Sequence, residues 1–402
     1  MATKRRAVFE QPTRELHDED ASLQVPGYEP GLTGAVVAQD ALPTLLPAWE
    51  DLCGRSVEDN VYYSPRYARA LLQSVERKEN VRFAIVWDES RLVAMLPFTS
   101  PKFAVPLLRA AGQAWQSKYT FSCTPLLDKN LKTVAAEVLL NVLGSINESE
   151  WIIPKVNTEG DACQSIVAAL AQRKAPWGFL NHFRRAILEV STTFDEYMNV
   201  QVGSNRRKGL ARNRRRLEKL GDVGHESHSF GEGLERAVSA FLEIEANGWK
   251  GKRGTALACN EKTRQFAKNA FTGQENSVCR ADVLTLDGTP IAVSLIALAG
   301  RTGFAVKACF DESYRSYSPG LLLETEVIRS FLTENWASRL DSATSGTHVL
   351  DSLWSGRTEV ADLVFSLSPR NSELRLSALK IANRTSDNIR TRLKRLMRRG
   401  MH

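Results

Sequence analysis

The stretch Ser318-Pro319-Gly320 has the residue types of an anion-binding helix start. Ser318 is expected to cap the helix, because its oxygen can accept a backbone N–H one turn in. Pro319 then falls at the first helical position, where its missing N–H costs nothing. Gly320 is not needed for a helix, since Ala would favour one by about 1 kcal/mol, so a ligand is expected to approach the backbone there. Helix N-termini attract anions.

Two segments concentrate positive charge. Residues 205–219 hold eight basic residues and one acidic residue, and so do residues 380–402, while the whole chain carries a formal net charge of +7. The remainder is therefore 7 − 14 = −7, which is not the pattern of a uniformly basic nucleic-acid binder. Arg212, Arg215 and Arg216 in the first segment are candidates to bind an anion: coenzyme A phosphates, a nucleotide-linked precursor or RNA. The alternative is a solvated helix face.

Three further groups could take part in chemistry. Trp249 and Lys250 open a glycine-rich turn, where Trp would offer a flat platform for a sugar or acyl chain and Lys could meet a phosphate or carboxylate. The alternative is a plain loop with an aromatic anchor. His225 and His228 have helical spacing, but their surroundings predict a strand and no metal site. The six dispersed cysteines lack zinc spacing and indicate buried thiols in a reducing cytoplasm.

The elements that must position these residues form an α/β pattern that occurs twice. Two strands flank a tight turn at Glu89-Ser90, and two more flank a turn at Asp287-Gly288. Each hairpin follows helices and precedes further strands and a helix, which predicts two copies of one unit with a boundary near residue 190. The prediction is thus a loose segment at 1–31, an N-terminal unit at 32–190, a C-terminal unit at 191–368, and a basic amphipathic helical tail at 369–402.

Four ordered segments carry a resemblance to a known family. They are SNRRKGLARNRRRLEKLG, FLEIEANGWKGKRGTAL, VKACFDESYRSYSPGLLL and LDSATSGTHVLDSLW. In this order they resemble the GNAT-type domain of CelD-like proteins, which are associated with cellulose and exopolysaccharide loci and related to Fem-type double-GNAT transferases. The resemblance covers roughly 35–367. It implies a mixed α+β sheet of tandem GNAT-like units with acetyl-CoA or a longer acyl-CoA as the acyl donor and no metal.

The resemblance also implies site residues. The family's Arg/Gln-x-x-Gly-x-Gly/Ala signature appears as Arg315-x-x-Ser318-x-Gly320, so Ser318 replaces the first glycine and Pro319 removes one possible donor. The positions implied to contact the cofactor are Lys307, Ala308, Cys309, Arg315, Ser318, Pro319, Gly320 and Leu321. The thioester would sit where two strands part, those at 304–310 and 338–342.

Acyl transfer requires a proton acceptor and a donor to the leaving thiolate. Asp341 and His348 are the predicted acceptors, with Glu245 as a third, and Tyr317 or Tyr314 is the predicted donor. Asp341 could instead cap the loop behind it, and His348 could be a structural histidine.

Three functions therefore remain open at this stage. The first is an acyl-CoA-dependent N- or O-acyltransferase acting on a saccharide, amino-sugar or lipid-linked precursor. The second is a Fem-like transferase that takes its aminoacyl group from tRNA, and the third is a non-catalytic anion-binding scaffold. The absence of a secretory signal or long apolar run predicts a cytoplasmic protein, with the basic tail as an option for contact with an anionic membrane surface.

Overall fold

The computed structural model describes residues 31–100, 111–189, 192–273, 278–346 and 348–368, and parts of 373–381. Within these residues the protein has a mixed α/β fold built on one sheet of thirteen strands. This confirms the predicted fold class.

The elements of the first half are β1 (Leu32–Val37), α1 (Leu42–Arg55), α2 (Pro65–Leu72), β2 (Arg82–Asp88), β3 (Arg91–Thr99), β4 (Ala111–Ala114), β5 (Leu126–Leu127), α3 (Lys132–Gly144), β6 (Glu150–Asn157), α4 (Asp161–Gln172) and β7 (Trp177–Glu189). Those of the second half are α5 (Phe194–Gln201), α6 (Ser204–Leu217), β8 (Val223–His228), α7 (Gly231–Asn247), α8 (Trp249–Lys252), α9 (Glu261–Phe271), β9 (Cys279–Leu286), β10 (Thr289–Ala299), β11 (Thr302–Phe310), α10 (Pro319–Glu334), β12 (Arg339–Asp341) and β13 (Gly356–Ser366).

The strand order reveals two units related by an exchange of strands. The path is β1-β2-β3-β4-β6-β13-β7-β12-β11-β10-β9-β8, with β5 beside β3. Thus β1 to β6 form a first unit and β8 to β12 a second, with matching pairings: an edge strand, a hairpin, a third strand, and a parallel strand reached through α3 or α10. The last strand of each half lies beside the other unit, since β13 pairs with β6 and β7 with β12.

Both predicted hairpins are confirmed. The first turns at Glu89 and the second at Asp287 and Gly288, and all three residues have positive φ. Such backbone angles match the twist of two-residue hairpins. The division of domains at residue 190 stays a prediction, and the sheet continues across that point.

Apolar residues of α7 and α10 cover opposite faces of the second unit. Leu234 and Phe241 of α7 belong to the large core shared with the first unit, whereas Leu322 and Val327 of α10 belong to a separate core. The alternation of β10 explains this division, because Val293, Leu295 and Ala297 face the first core while Ala292 and Ile296 face the second.

Parallel pairing between β11 and β12 lasts for only three residues. Thr302, Gly303 and Phe304 pair with Arg339, Leu340 and Asp341. Beyond Phe304, β11 continues to Phe310 with β10 as its strand partner, so one backbone edge is left without a strand. A β-bulge opposite Leu295 and Ile296 falls in this stretch, and bulges redirect the side chains around them. The strands therefore separate where the sequence predicted a thioester site.

The predicted terminal segments lie largely outside the described residues. This applies to 1–30 and to most of the predicted tail helix, although Leu376 packs with Ile152, Leu180 and Val364. Among the described helices, none has the length and apolar character required to span a bilayer.

Candidate functional site

A cavity of about 580 Å³ opens where β11 and β12 separate. It is lined by consecutive residues from Ala305 to Phe310 on β11 and by Ser342, Ala343 and Thr344 after β12. Of the residues predicted from the sequence, it brings together Trp249, Lys250, Lys307, Ala308, Cys309, Arg315, Ser318, Gly320, Leu321 and His348. Pro319, Tyr317, Asp341, Arg212, Arg215 and Arg216 do not line it.

This cavity is bordered by elements from both faces of the sheet. Trp249 and Lys250 follow α7 on one face, whereas Gly320 and Glu324 belong to α10 on the other. The gap between the strands therefore connects a space beside α10 with a space beside α7. We call them the α10 end and the α7 end.

At the α10 end, Ser318 holds an unusual backbone conformation. Its φ is +55° and its ψ is +51°, and its side chain does not cap the helix. The predicted serine cap is therefore wrong, because side-chain caps need an extended backbone at that residue. Instead, the Ser318 hydroxyl accepts a hydrogen bond from the Asn213 amide of α6 at 3.2 Å. The left-handed conformation at the family's glycine position is thus kept by a serine with a tertiary hydrogen bond.

Gly320 has no structural requirement for glycine. A Cβ added there would find its nearest neighbour, Cδ1 of Phe310, at 3.5 Å, which is ordinary contact, and its φ is not positive. The amide of Leu321 bonds back to the Ser318 carbonyl at 3.0 Å. Neither packing nor backbone conformation therefore requires a glycine at this position.

The basic helix α6 packs beside this helix start. The guanidinium of Arg216 stacks on the Tyr317 ring at 4.8 Å and donates to the Ser316 carbonyl at 3.3 Å. Arg212 and Arg215 are exposed on the same helix, and Arg315 is exposed at the cavity. This arrangement places several positive charges near the α10 end, where an anion would benefit from them.

At the α7 end, Trp249 and Lys250 lie on the short helix α8 rather than in the predicted glycine-rich turn. Gly251 permits this tight connection, because a Cβ there would come within 1.6 Å of the Ala246 carbonyl oxygen. Lys250 donates to the buried carboxylate of Glu245 at 2.8 Å. Glu245, predicted as a third proton acceptor, is therefore already paired with a lysine.

Lys307 projects from β11 into the same end of the cavity. Its ammonium lies 5.1 Å from the centre of the Tyr119 ring, which the first unit contributes. Burial, followed by repulsion from Lys250, lowers the pKa of Lys307 to about 8. Its amine therefore exchanges protons near neutral pH, which lysine ordinarily does not.

Sequence reasoning missed Glu324, a buried carboxylate in the cavity wall. It lies on α10 one turn beyond Gly320, and its Oε1 accepts a hydrogen bond from the Trp354 indole at 2.7 Å. Burial raises the pKa of Glu324 to about 7, and the indole bond partly opposes this shift. The available signal was a lone acid on the apolar face between Leu323 and Val327. A carboxyl group with such a pKa suits proton transfer at neutral pH.

His348 lies at the cavity but has a structural bond. Its Nδ1 accepts the Leu350 amide at 3.4 Å, while its own amide donates to Asp351 at 2.8 Å. These two bonds form a capping box at the start of a short 3₁₀ helix. The bond to Nδ1 favours a neutral imidazole.

Asp341 faces a second cavity, of about 390 Å³, on the opposite side of its strand from the one that holds Ser342. Its Oδ1 accepts hydrogen bonds from the buried Arg185 at 3.3 Å and from the Ala343 amide at 2.8 Å. Asp341 therefore caps the loop behind it, as the alternative prediction had it, and it also forms an ion pair with Arg185. The catalytic role predicted for Asp341 stays a prediction.

The two predicted histidine positions are held within the protein. They lie on β8, where His225 contacts Asp282 at 3.0 Å and His228 contacts Glu226 at 3.1 Å. In the part of the chain that the structure describes, no group of three or more His, Cys, Asp or Glu residues is arranged to hold a metal ion.

Comparisons with known proteins agree with this geometry. Residues 204–347 match the family described as an acetyltransferase (GNAT) domain, so this part of the chain is similar to such domains. No curated protein sequence matches the chain. Because the matched residues cover α6 to the loop after β12, they include the α10 start and the separating strands. The closer relationship to CelD-like proteins stays a prediction.

Solved structures with the same fold come from several proteins. FemX aligns with a TM-score of 0.54 at 11% identity, covering 78% of this chain and 95% of its own. A conserved protein of unknown function from Bacteroides thetaiotaomicron VPI-5482 gives 0.52 at 11%, covering 82% and 100%. A DUF2156 domain from Agrobacterium fabrum gives 0.51 at 10%, covering 84% and 95%. At such low identity these likenesses show the fold alone.

Proposed function

We propose that the protein is an acyl-CoA-dependent N- or O-acyltransferase acting on a saccharide or amino-sugar precursor of polysaccharide or envelope synthesis. The observation that carries this proposal is the continuity of one cavity from the α10 start to the gap between β11 and β12. The pyrophosphate of the donor would bind at Gly320, with Arg315 and the basic face of α6 nearby. Its thioester would then lie between the strands.

The chemistry follows from what lines that gap. The nucleophile bonds to the thioester carbonyl carbon, the C–S bond breaks, the nucleophile loses a proton and the departing thiolate gains one. Backbone amides on the unpaired edge of β11 are suited to polarise the carbonyl as negative charge develops on its oxygen. Glu324 is the buried carboxylate able to accept a proton near pH 7. His348 at the cavity is the other candidate acceptor, whereas Tyr317, the predicted donor to the thiolate, does not line this cavity.

We place the reaction in the cytoplasm, where acyl-CoA thioesters are available. All six cysteines are free thiols, which agrees with a reducing compartment.

Calorimetric titration with acetyl-CoA tests the proposal. Wild-type protein is expected to bind, and Gly320→Glu to lose binding, because its carboxylate would repel the pyrophosphate. Gly54→Glu is the control, since Gly54 is an exposed helical glycine of α1 with no atom within 4 Å of an added Cβ. Absence of acetyl-CoA affinity in the wild type would refute the proposal.

A second candidate is transfer from aminoacyl-tRNA, which the exposed basic face of α6 favours. Binding of tRNA would then fall steeply with salt, and neutralising Arg212, Arg215 and Arg216 would flatten that dependence. Binding of acetyl-CoA together with salt-insensitive, weak tRNA binding would eliminate this candidate.

A further inference from the structure

The α7 end of the cavity is the side from which an acceptor can reach the gap. The α10 end holds the helix start that the donor would occupy, whereas Trp249, Lys250 and Lys307 border the opposite side of the sheet. A donor and an acceptor entering from the two ends would meet between β11 and β12. This step rests on the proposed function.

Positive charge at the α7 end exceeds the negative charge that balances it. Glu245 is paired with Lys250 at 2.8 Å, and its second oxygen accepts the Leu257 amide at 2.8 Å. Lys307 has no carboxylate partner among the described residues. Lys118 is also near, since it and Lys307 lie 4.9 and 5.1 Å from the centre of the same Tyr119 ring. Arg253 adds a fourth cation beside Trp249, and the Glu312 carboxylate, which accepts the Trp249 amide at 3.0 Å, adds a second anion. The sum is four cations against two carboxylates.

This excess of buried positive charge is energetically unfavourable unless an anion balances it. Burying an ammonium without a counter-charge costs free energy, and the lowered pKa of Lys307 reflects that cost. The attraction of a ring face compensates a buried cation only in part. A negatively charged ligand placed between Lys250 and Lys307 would compensate both lysines.

Aromatic groups frame the same place. Trp249 is 50% exposed at the cavity, and the buried Tyr119 ring lies behind Lys307. The guanidinium of Arg253 lies 5.2 Å from the centre of the Trp249 ring and holds one side of it. Flat aromatic surfaces beside polar groups suit a ring with one apolar face, such as a sugar.

We propose that the acceptor carries an anionic group, a phosphate or a carboxylate, and binds with this group between Lys250 and Lys307 at the α7 end. Trp249 then supports the body of the acceptor, and the nucleophilic amine or hydroxyl points toward the gap between the strands. The acceptor class is therefore an anionic saccharide rather than a neutral one.

Calorimetry with three amino sugars tests this proposal and separates its two anions. Glucosamine has no anionic group, muramic acid adds a carboxylate, and glucosamine 6-phosphate adds a phosphate. At least one of the anionic sugars is expected to bind about tenfold more tightly than glucosamine, as one compensated charge implies. That preference is expected to fall as pH rises through about 8, because Lys307, which faces Lys250, Glu245 and Lys118, then loses its proton.

Variants identify the groups responsible. Lys307→Met should remove the preference for the anionic sugar, and it should fold, because it replaces an unpaired buried charge with an apolar chain. The double variant Lys250→Met/Glu245→Gln avoids an isolated buried carboxylate and should reduce the same preference. Lys252→Met is the matched control: Lys252 lies on α8 and is exposed outside this cavity.

Each outcome bears on one proposal. Equal affinity for all three sugars, failure of all three to bind, or a preference that survives in both variants overturns the anionic acceptor. Lys252→Met should bind acetyl-CoA and the anionic sugars with the wild-type dissociation constants within about twofold, since Lys252 does not line this cavity. If wild-type protein fails to bind acetyl-CoA but keeps the anion preference, the donor assignment fails and the anion site stands.

Discussion

The start of α3 in the first unit and the start of α10 in the second occupy equivalent places in the sheet, yet one is closed and the other is open. Before α3, the carboxylate of Asp128 accepts the Asn130 amide at 2.8 Å and pairs with Arg55 and Arg91. Its side chain is fully buried. The turn before the first helix thus holds a buried carboxylate of the protein itself, whereas the start of the second opens into a cavity.

The strand gaps differ in the same way. In the first unit, β4 and β6 also form only a short parallel pairing. The loop beginning at the buried Trp115 fills the space equivalent to the one that stays open between β11 and β12 in the second unit. Tyr63 donates to the Trp115 carbonyl at 2.7 Å, and Lys155 donates to the Thr120 carbonyl at 2.6 Å. The same loop presents Tyr119 to the second unit's Lys307. The first unit is therefore closed at this place, and its Tyr119 packs against a lysine that lines the cavity of the second unit.

Removing the internal anion of the first unit should have the largest effect on stability. Asp128→Ala is expected to lower the unfolding free energy by about 3–5 kcal/mol, because it leaves Arg55, Arg91 and the Asn130 amide without their buried carboxylate. Asp51→Ala is the matched control: Asp51 pairs with the same Arg55, but its side chain is 57% exposed, so its loss should cost less than about 1 kcal/mol. Urea denaturation measures both. Equal losses of unfolding free energy in the two variants would contradict the structural role of the buried Asp128 carboxylate.

Ionisation of the buried Glu324 carboxylate in the second unit should lower the unfolding free energy as pH rises. Burial raises the pKa of Glu324 from 4.5 to about 7. The folded state therefore holds more protons than the unfolded state between these values, and its stability should fall across them by about 3 kcal/mol. Glu324→Gln can keep the Trp354 bond and should be more stable than wild type near pH 8 but not near pH 4.

Denaturation at both pH values provides the measurement. Glu232→Gln is the control, since Glu232 is 87% exposed and pairs with Arg236 one turn away. A wild-type profile that stays parallel to that of Glu324→Gln would contradict the raised pKa. Because the same carboxylate is a candidate proton acceptor, loss of transfer without loss of acetyl-CoA binding is expected in Glu324→Gln.

The sequence predicted those features of the two units that depend on neighbouring residues, but not those that depend on contacts between distant segments. Turn chemistry at Asp287-Gly288 and the apolar periodicity of α10 act over a few residues, so the hairpin and the helix were predictable. The exchange of β7 and β13 depends on pairing between distant segments. The closure at Asp128 was equally hidden, because an isolated acid before a helix gives no sign that Arg55 and Arg91 reach it.

Within the candidate site, the missed features are also tertiary. Arg315 and Gly320 belong to a short linear pattern, whereas Asn213 meets Ser318 across 105 residues of sequence. Glu324 was hidden by its apolar neighbours, since a helical pattern shows which face is buried but not which buried acid borders a cavity.

Substitution of Gly320 should separate stability from binding at the open helix start. Gly320→Ala is expected to stabilise the fold by up to about 1 kcal/mol, because Ala favours a helix and its Cβ meets only Phe310 at 3.5 Å. It should nevertheless weaken acetyl-CoA binding measurably. Thr133→Ala is the control, since Thr133 is the exposed second residue of α3, the equivalent position in the first unit. Improved stability with unchanged donor affinity in Gly320→Ala would mean that no ligand approaches this backbone.

The smallest expected effect concerns the bond that shapes the open helix start. Asn213→Ala removes a side-chain hydrogen bond to Ser318 and should cost about 1 kcal/mol of unfolding free energy, with a several-fold weaker acetyl-CoA affinity. The loss of affinity would come from a change in the backbone, because Ser318 at φ +55° is held in a region that glycine adopts freely. Ser318→Gly in the Asn213→Ala background should therefore restore donor affinity. Asn205→Ala, an exposed change on the same helix, should alter neither quantity. If glycine fails to rescue, Asn213 acts on the donor through something other than the backbone at Ser318, and the equivalence of Ser318 with the family's glycine is lost.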